Sequence, residues 1–401
     1  MIIFIQLFHL VILGLMKFSV PPEFFIYPYL IAKNWLPYTQ IIDQHFPGIF
    51  LLPPGITPQA YHILFLFIIL IQSLWIYKIS RSPVAVAFFA VWQPFFAGNQ
   101  LWIDTLLPLF TLPALYFFSS PVIAGLLLGT ALLFKQSVVI LILVAMAFSR
   151  KKLRFLMASL LPFLLTVIYF WSRGALADFF YWTVKFNFLV YPGLARHWPT
   201  VTDLLKLSLP GLLACLAILK AKNHRLLAAF ALTSVIGVLP RFDLVHFQPA
   251  VPFFVILVSR LKAGRLILLV SIIWVVFFLR HQFGPGRYQY FDQQTYALAS
   301  QIRKLTAPGE SIFILGAQPH LYVLSDTVPS GSLFSFSLPW YLPLLENRLI
   351  ASLPGLVVVD HSSSVDGRPL SSYAPALLNY IRAHYLPVYQ IGSTVIYENR
   401  P

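Results

Sequence analysis

Charge is what this chain has least of. Of its 401 residues, 10% are Asp, Glu, Lys or Arg, where a soluble domain carries about 25%. So little charge does not cover the surface of a water-soluble protein of this length. With 59% hydrophobic residues, the solvent for much of the chain must be lipid. Acid is scarcer still: 13 Asp and Glu stand against 28 Lys and Arg, a formal net charge of +15. In a soluble protein that excess would point to nucleic acid. Here the basic residues fall in short loops between apolar runs, the positive-inside pattern, which argues against a nucleic-acid partner. Cysteine occurs once, at Cys215, so no intrachain disulfide can form. A basic n-region and an A-x-A cleavage site are missing from the N-terminal apolar stretch, which therefore reads as a first span rather than a signal peptide.

What the chain does have is apolar runs. They start at Ile2, Tyr61, Val84, Leu101, Val122, Ser137, Phe155, Leu204, Leu226, Pro249 and Leu266, which predicts about eleven crossings of a bilayer. Many Trp and Tyr residues sit at the ends of these runs, as interfacial belts do. The runs on either side of Lys135-Gln136 are short, so they read either as two crossings or as one broken or re-entrant pair.

Charge sets the orientation. One set of loops holds Lys78, Arg81, Arg150, Lys151, Lys152, Arg154, Lys220, Lys222, Arg225, Arg260, Lys262 and Arg265, with no Asp or Glu among them. The positive-inside rule makes these loops cytoplasmic. Glu23, Asp43, Asp104, Asp178, Asp203 and Asp243 then fall on or near the opposite face. The rule does not require acids to segregate, so a site that handles cations or protons on the outer face is one explanation.

From about Phe283 the composition changes, and Gly284-Pro285-Gly286 breaks the last helix. Then come a helix candidate (292–305), a β-like run (311–315), a second helix near 343–351, an apolar strand (356–359), a helix (373–384) and a hairpin-like stretch (388–397). This alternation predicts a small α/β domain; the stretch 316–339 carries no clear signal. The expected architecture is thus an all-α polytopic membrane protein, residues 1–282, with a C-terminal α/β domain, residues 283–401, on the extracytoplasmic side.

Four places hold residues suited to chemistry. The first outer loop, residues 20–59, is unusually long, and long ordered loops are more often functional than connecting. It holds Glu23, Asp43 and His45 among seven prolines, at 21, 22, 28, 37, 47, 53 and 54. Acids in a solvated interfacial loop are the plain alternative. Asp104 lies inside an apolar run, where a carboxylate is costly and usually faces a polar cavity or a partner; otherwise it caps a helix N-terminus. Lys135, between two short apolar halves, suits a phosphate as a point charge, or snorkels to the interface. Arg241, Asp243 and His246 suit an anionic ligand such as a phosphate, or form an ordinary turn with an Arg–Asp pair. Carboxylates, cations and aromatics on one face of a membrane protein match what sugar transfer from a lipid phosphate needs: a general base for the acceptor hydroxyl and cations for the leaving phosphate.

The order of these segments resembles a known group. The first loop (Glu23, Tyr27, Leu36-Pro37-Tyr38, Asp43, His45, Pro47-Gly48), the segment GNQLWIDTLLPLF with Asp104, AGLLLGTALLFKQ ending at Lys135-Gln136, and RFDLVHFQPAVPFF with Arg241 and His246 are similar in order to the GT-C fold membrane glycosyltransferases. That group includes the dolichyl-phosphate-mannose mannosyltransferases and aminoarabinose transferases; the bacterial branch called family 39 is the nearest in pattern. The likeness covers about 280 residues, and its strength lies in the four motifs together rather than in any one. The resemblance implies an inverting transferase in a plasma membrane. It would use a polyprenyl-phosphate-linked sugar donor and act on a lipid, polysaccharide or protein acceptor outside the cell. It implies a catalytic carboxylate early in the first loop, where the family usually has Asp and this chain has Pro22-Glu23, so the base is Glu23 or Asp43. It further implies that Lys135, Arg241 and His246 bind the donor phosphate. Asp104 would help bind the donor phosphate or, with His45, a divalent ion, Mg or Mn, as in the metal-dependent relatives. A transporter or flippase of a lipid-linked or anionic substrate is the competing class, although no internal repeat supports it.

Overall fold

The computed structural model describes residues 1–55, 57–279, 282–283 and 288–400; the expected helix break at Gly284-Pro285-Gly286 lies outside them. The protein is mostly helical, and each of the eleven apolar runs is built around a helix. Among the described residues three helices are long and apolar enough to cross a membrane: Pro58–Ser80, Lys152–Ser172 and Val201–Leu219. At 1.5 Å per residue, the first is about 35 Å long, against a hydrocarbon core of about 30 Å. The outward faces of these helices are apolar. Along Lys152–Ser172, Leu153, Leu161, Leu165 and Ile168 are all exposed. In water each would forgo about 1.5–3 kcal/mol of burial; against lipid tails that cost vanishes.

The other apolar helices are short, and proline explains much of it. Pro83, Pro108 and Pro121 each stand in the first turn of a helix, where a missing N–H costs nothing. Pro94 lies near the end of Pro83–Phe95, and two carbonyls that the helix end leaves open are taken up by a side chain: Gln248 Nε2 donates to Gln93 O and Phe96 O at 2.7 and 2.8 Å.

Contacts gather the described residues into two compact units. The first comprises Met1–Val20, Thr57–Tyr169 and His197–Gln289, and it contains most of the apolar helices. Its closest helix packing uses glycine: a Cβ at Gly125 would lie 2.5 Å from Phe155 O, and one at Gly129 would lie 2.2 Å from Ser159 O. This four-residue spacing of glycines lets two backbones approach. The helices Pro121–Leu132 and Val138–Phe148, separated by Leu133–Ser137, pack against each other.

The second unit comprises Pro21–Ile56, Phe170–Arg196 and Tyr290–Pro401. Its sheet has five strands in the order Val328–Pro329, Ser311–Leu315, Leu356–Asp360, Thr394–Asn399 and Tyr385–Ile391. The first three run parallel and the last two pair antiparallel. Helices Gln293–Leu305, Leu342–Ala351 and Pro375–His384 complete the α/β arrangement near their expected positions. Asp292 caps the first of these by accepting from Thr295 N at 2.8 Å. The stretch without a sequence signal holds a short helix, His320–Ser325, and the edge strand Val328–Pro329. The first loop joins this unit through backbone bonds: Ile42 N donates to Phe334 O (2.8 Å) and Phe334 N to Gln40 O (2.7 Å).

Candidate functional site

In the second unit, Glu23 opens the helix Glu23–Ala32 directly after Pro21-Pro22. Its side chain is half-buried and lines a cavity of about 300 Å³. Opposite it stand Tyr290, Gln318, Phe336 and the hydroxyl-bearing Ser335, Ser337 and Ser363. Burial pushes the Glu23 carboxyl up to about 7; a hydrogen bond to its own backbone opposes that, the Asp43 carboxylate adds to it and His45 tempers it. Among the described residues, no other residue donates a hydrogen bond to this carboxylate.

Asp43 is arranged differently. It is buried, and its oxygens are saturated: Tyr27 OH donates to Oδ2, while His45 donates its backbone N–H at 2.5 Å and sets Nδ1 2.7 Å away, both on Oδ1. The carboxylate can only accept, so the proton on the ring lies on Nδ1. Aromatic rings hold this turn in place. Tyr38 packs edge-on to Phe50, Phe170 and Phe179 at 5.2–5.4 Å and donates its hydroxyl to His45 O at 2.9 Å. Tyr341 OH accepts from Gln44 N at 3.0 Å, and Asn187 Nδ2 donates to Gln44 O at 2.8 Å. One of the two candidate bases is thus fixed by its partners, and the other faces open space.

The first unit brings together Asp104, Lys135 and His246, which lie 31 to 142 residues apart in the chain. Asp104 is buried in the first turn of Ile103–Leu106, where the helix dipole favours an anion. Thr105 Oγ1 accepts from Trp102 N (2.9 Å) and Gln72 Nε2 donates to Thr105 O (2.6 Å), which fixes that turn. Lys135 reaches Asp104 Oδ1 from the break between two short helices. His246 Nδ1 stands 2.9 Å from Asp104 Oδ2 and 3.3 Å from Lys135 Nζ, which closes the triangle of the three side chains. Gly237 makes room for the lysine, since a Cβ there would come within 2.9 Å of Lys135 Nζ. Arg241 is half-buried on the loop that leads to His246. Asp243 caps the turn Leu244–Phe247 by accepting from Val245 N at 3.2 Å.

Comparison with models of known protein families gives no match, and comparison with curated proteins gives none. The functional reading therefore rests on residues alone.

The expected metal role for Asp104 does not fit this donor set. Both of its oxygens are taken, one by an ammonium that repels a divalent ion. Among the described residues no group of three or more His, Cys, Asp or Glu is arranged to hold a metal. His45 commits Nδ1 to Asp43.

The sequence reading missed the residues that surround Glu23. Gln318, Ser335, Phe336 and Ser337 fall in the stretch without signal, and Tyr290 stands just before the first tail helix. Nothing local marks them; they meet Glu23 only through the parallel pairing of strands far apart in sequence.

Proposed function

We propose that this chain is a membrane glycosyltransferase of GT-C type that moves a sugar from a polyprenyl-phosphate donor to an acceptor hydroxyl on the extracytoplasmic face, with inversion. The observation that carries the reading is Glu23: a carboxylate raised to about 7, free of bonds from other residues, on the wall of a cavity rich in hydroxyls and aromatic rings. A general base works best with a pKa near the working pH. Asp43, held by three donors, is the positioning carboxylate whose charge helps raise Glu23.

The reaction balances with these parts. Glu23 takes the proton from the acceptor hydroxyl as its oxygen bonds to the anomeric carbon. The bond from that carbon to the donor phosphate oxygen breaks, and its electron pair leaves with the lipid phosphate. The family resemblance, not a contact with Glu23, assigns the positive charge for that leaving group to Lys135, Arg241 and His246. Asp104 offsets one of these charges and holds Lys135 and His246 in place. No step needs a metal.

Helix lengths support a membrane-embedded phosphate site. The helix that starts beside Asp104 ends at Tyr116, about 18 Å along the axis. A hydrocarbon core is about 30 Å thick, so a group at that depth sits below the outer surface, where cations act in low dielectric. Eleven crossings, with the basic loops cytoplasmic and the tail outside, complete the topology of this reading.

The test is donor cleavage by purified protein in nanodiscs with a panel of labelled polyprenyl-phosphate sugars, comparing wild type with Glu23→Gln and Asp43→Asn. Cleavage lost in Glu23→Gln supports the reading. No cleavage of any donor by folded wild-type protein overturns it in favour of transport.

A further inference from the structure

At the other end of the first unit's helices lies a second pocket, which takes no part in the proposed reaction. Its volume is about 370 Å³, and Lys78, His224, Arg225 and Arg260 stand on its wall. These residues come from separate places: the last turn of Pro58–Ser80, the start of Arg225–Val235 and the turn after Val251–Val258. The last residue of Pro108–Tyr116 joins them, and Leu115, Leu226 and Leu227 give the pocket an apolar side.

We propose that this pocket binds the phosphodiester headgroup of an anionic membrane lipid. Its cations are held open for an anion. Among the described residues none of Lys78, Arg225 and Arg260 is ion-paired with a carboxylate. Lys78 Nζ instead lies over the rings of Trp75 and Tyr116, at 4.9 and 4.6 Å, and the Arg260 guanidinium bonds the His224 ring. That ring accepts from an arginine, so it is neutral, and the charge at the mouth belongs to Lys78, Arg225 and Arg260. The helix Arg225–Val235 has no side-chain cap at its N-terminus, which leaves first-turn N–H groups for phosphate oxygens. Arginine forks match phosphate oxygens in pairs. The neighbouring loops carry Arg81, Lys220, Lys222 and Lys262 and no acid.

A lipid fits better than free phosphate because the pocket combines this charge with an apolar side and with Tyr116 on its wall, while Trp75 lies against Lys78; these are the ring types that settle at headgroup level. Basic pockets between membrane helices on the cytoplasmic side are suited to anionic headgroups.

The experiment is lipid retention. Full-length protein is reconstituted in nanodiscs of phosphatidylcholine with a minority of phosphatidylglycerol, and the bound phosphatidylglycerol is counted by native mass spectrometry. Wild type retains it. Arg225→Gln with Arg260→Gln reduces retention about fivefold for each cation removed, while Arg150→Gln with Lys151→Gln, in a basic loop outside the pocket, leaves it unchanged. Equal loss in both pairs shows general surface attraction and overturns the site, as does no retention by wild type. Thermal stabilisation by inorganic phosphate equal to that by phosphatidylglycerol overturns the lipid assignment. Circular dichroism and melting of each variant separate loss of binding from loss of fold.

Discussion

On the proposed reading, replacing Glu23 by Gln should abolish sugar transfer and, at alkaline pH, make the protein more stable. The carboxyl titrates near 7 instead of its usual 4.5 because its ionised form is half-buried beside the Asp43 carboxylate. The folded state therefore holds a proton that the unfolded state releases between pH 4.5 and about 7. Stability from this group is complete below 4.5 and falls as pH rises through 7. At 1.36 kcal/mol per pKa unit, the loss at pH 8 is at most about 3 kcal/mol, a ceiling that solvent in the cavity reduces. Gln does not ionise, so Glu23→Gln should recover much of that difference at pH 8 and none at pH 4. Catalysis should respond in the opposite sense. The base works only when deprotonated, so wild-type transfer should rise through pH 7 and level off above it, and the variant should lose about 100- to 10,000-fold. The assays are donor cleavage from pH 5 to 9 and thermal unfolding at pH 4 and 8 in the same nanodiscs. A flat wild-type pH profile, or a variant less stable than wild type at pH 8, would refute the assignment of Glu23 as a buried, raised base.

Other substitutions test other parts of the structure. Lys135→Met leaves Asp104 buried beside His246 alone, and we expect about 3–5 kcal/mol of destabilisation together with weaker donor binding, read by melting and by KM for the lipid donor. Lys135→Arg should restore part of the stability. Gly129→Leu places side-chain atoms where a Cβ alone would already meet Ser159 O at 2.2 Å, so the helices must separate; loss of the monodisperse species in size-exclusion chromatography checks this. Ser335→Trp fills part of the cavity that Glu23 lines, and should raise KM for the acceptor at least tenfold while leaving the melting temperature within a few degrees.

The sequence carried the local information well and the long-range information poorly. Apolar runs mark helices because lipid rewards uninterrupted apolar chain, and a helix stands on each one. In the tail, Ser311–Leu315 and Leu356–Asp360 are legible as strands because β-branched residues crowd there. The first loop contains the helix Glu23–Ala32 and the tight turn Pro47–Phe50. What stayed hidden is the choice between Glu23 and Asp43. It depends on Tyr27 and His45 closing around one carboxylate and on residues some 300 positions later walling a cavity around the other, and no periodicity records such contacts. Asp104 and Lys135 were each legible as a charge in an apolar setting and His246 as part of a turn, and only the family resemblance placed them near one another.

The second unit is assembled from three stretches of chain, and that has a consequence in time. Ile42 bonds to Phe334, a residue made about 290 positions later, and synthesis at about 5–20 residues per second puts roughly 15–60 s between them. During that interval the segment around Glu23 and Asp43 lacks the strands that complete its unit, while helices are inserted one after another. Residues made late thus complete a structure begun by residues made early. A chain cut short before the tail would insert its helices and still be unable to shape the cavity at Glu23.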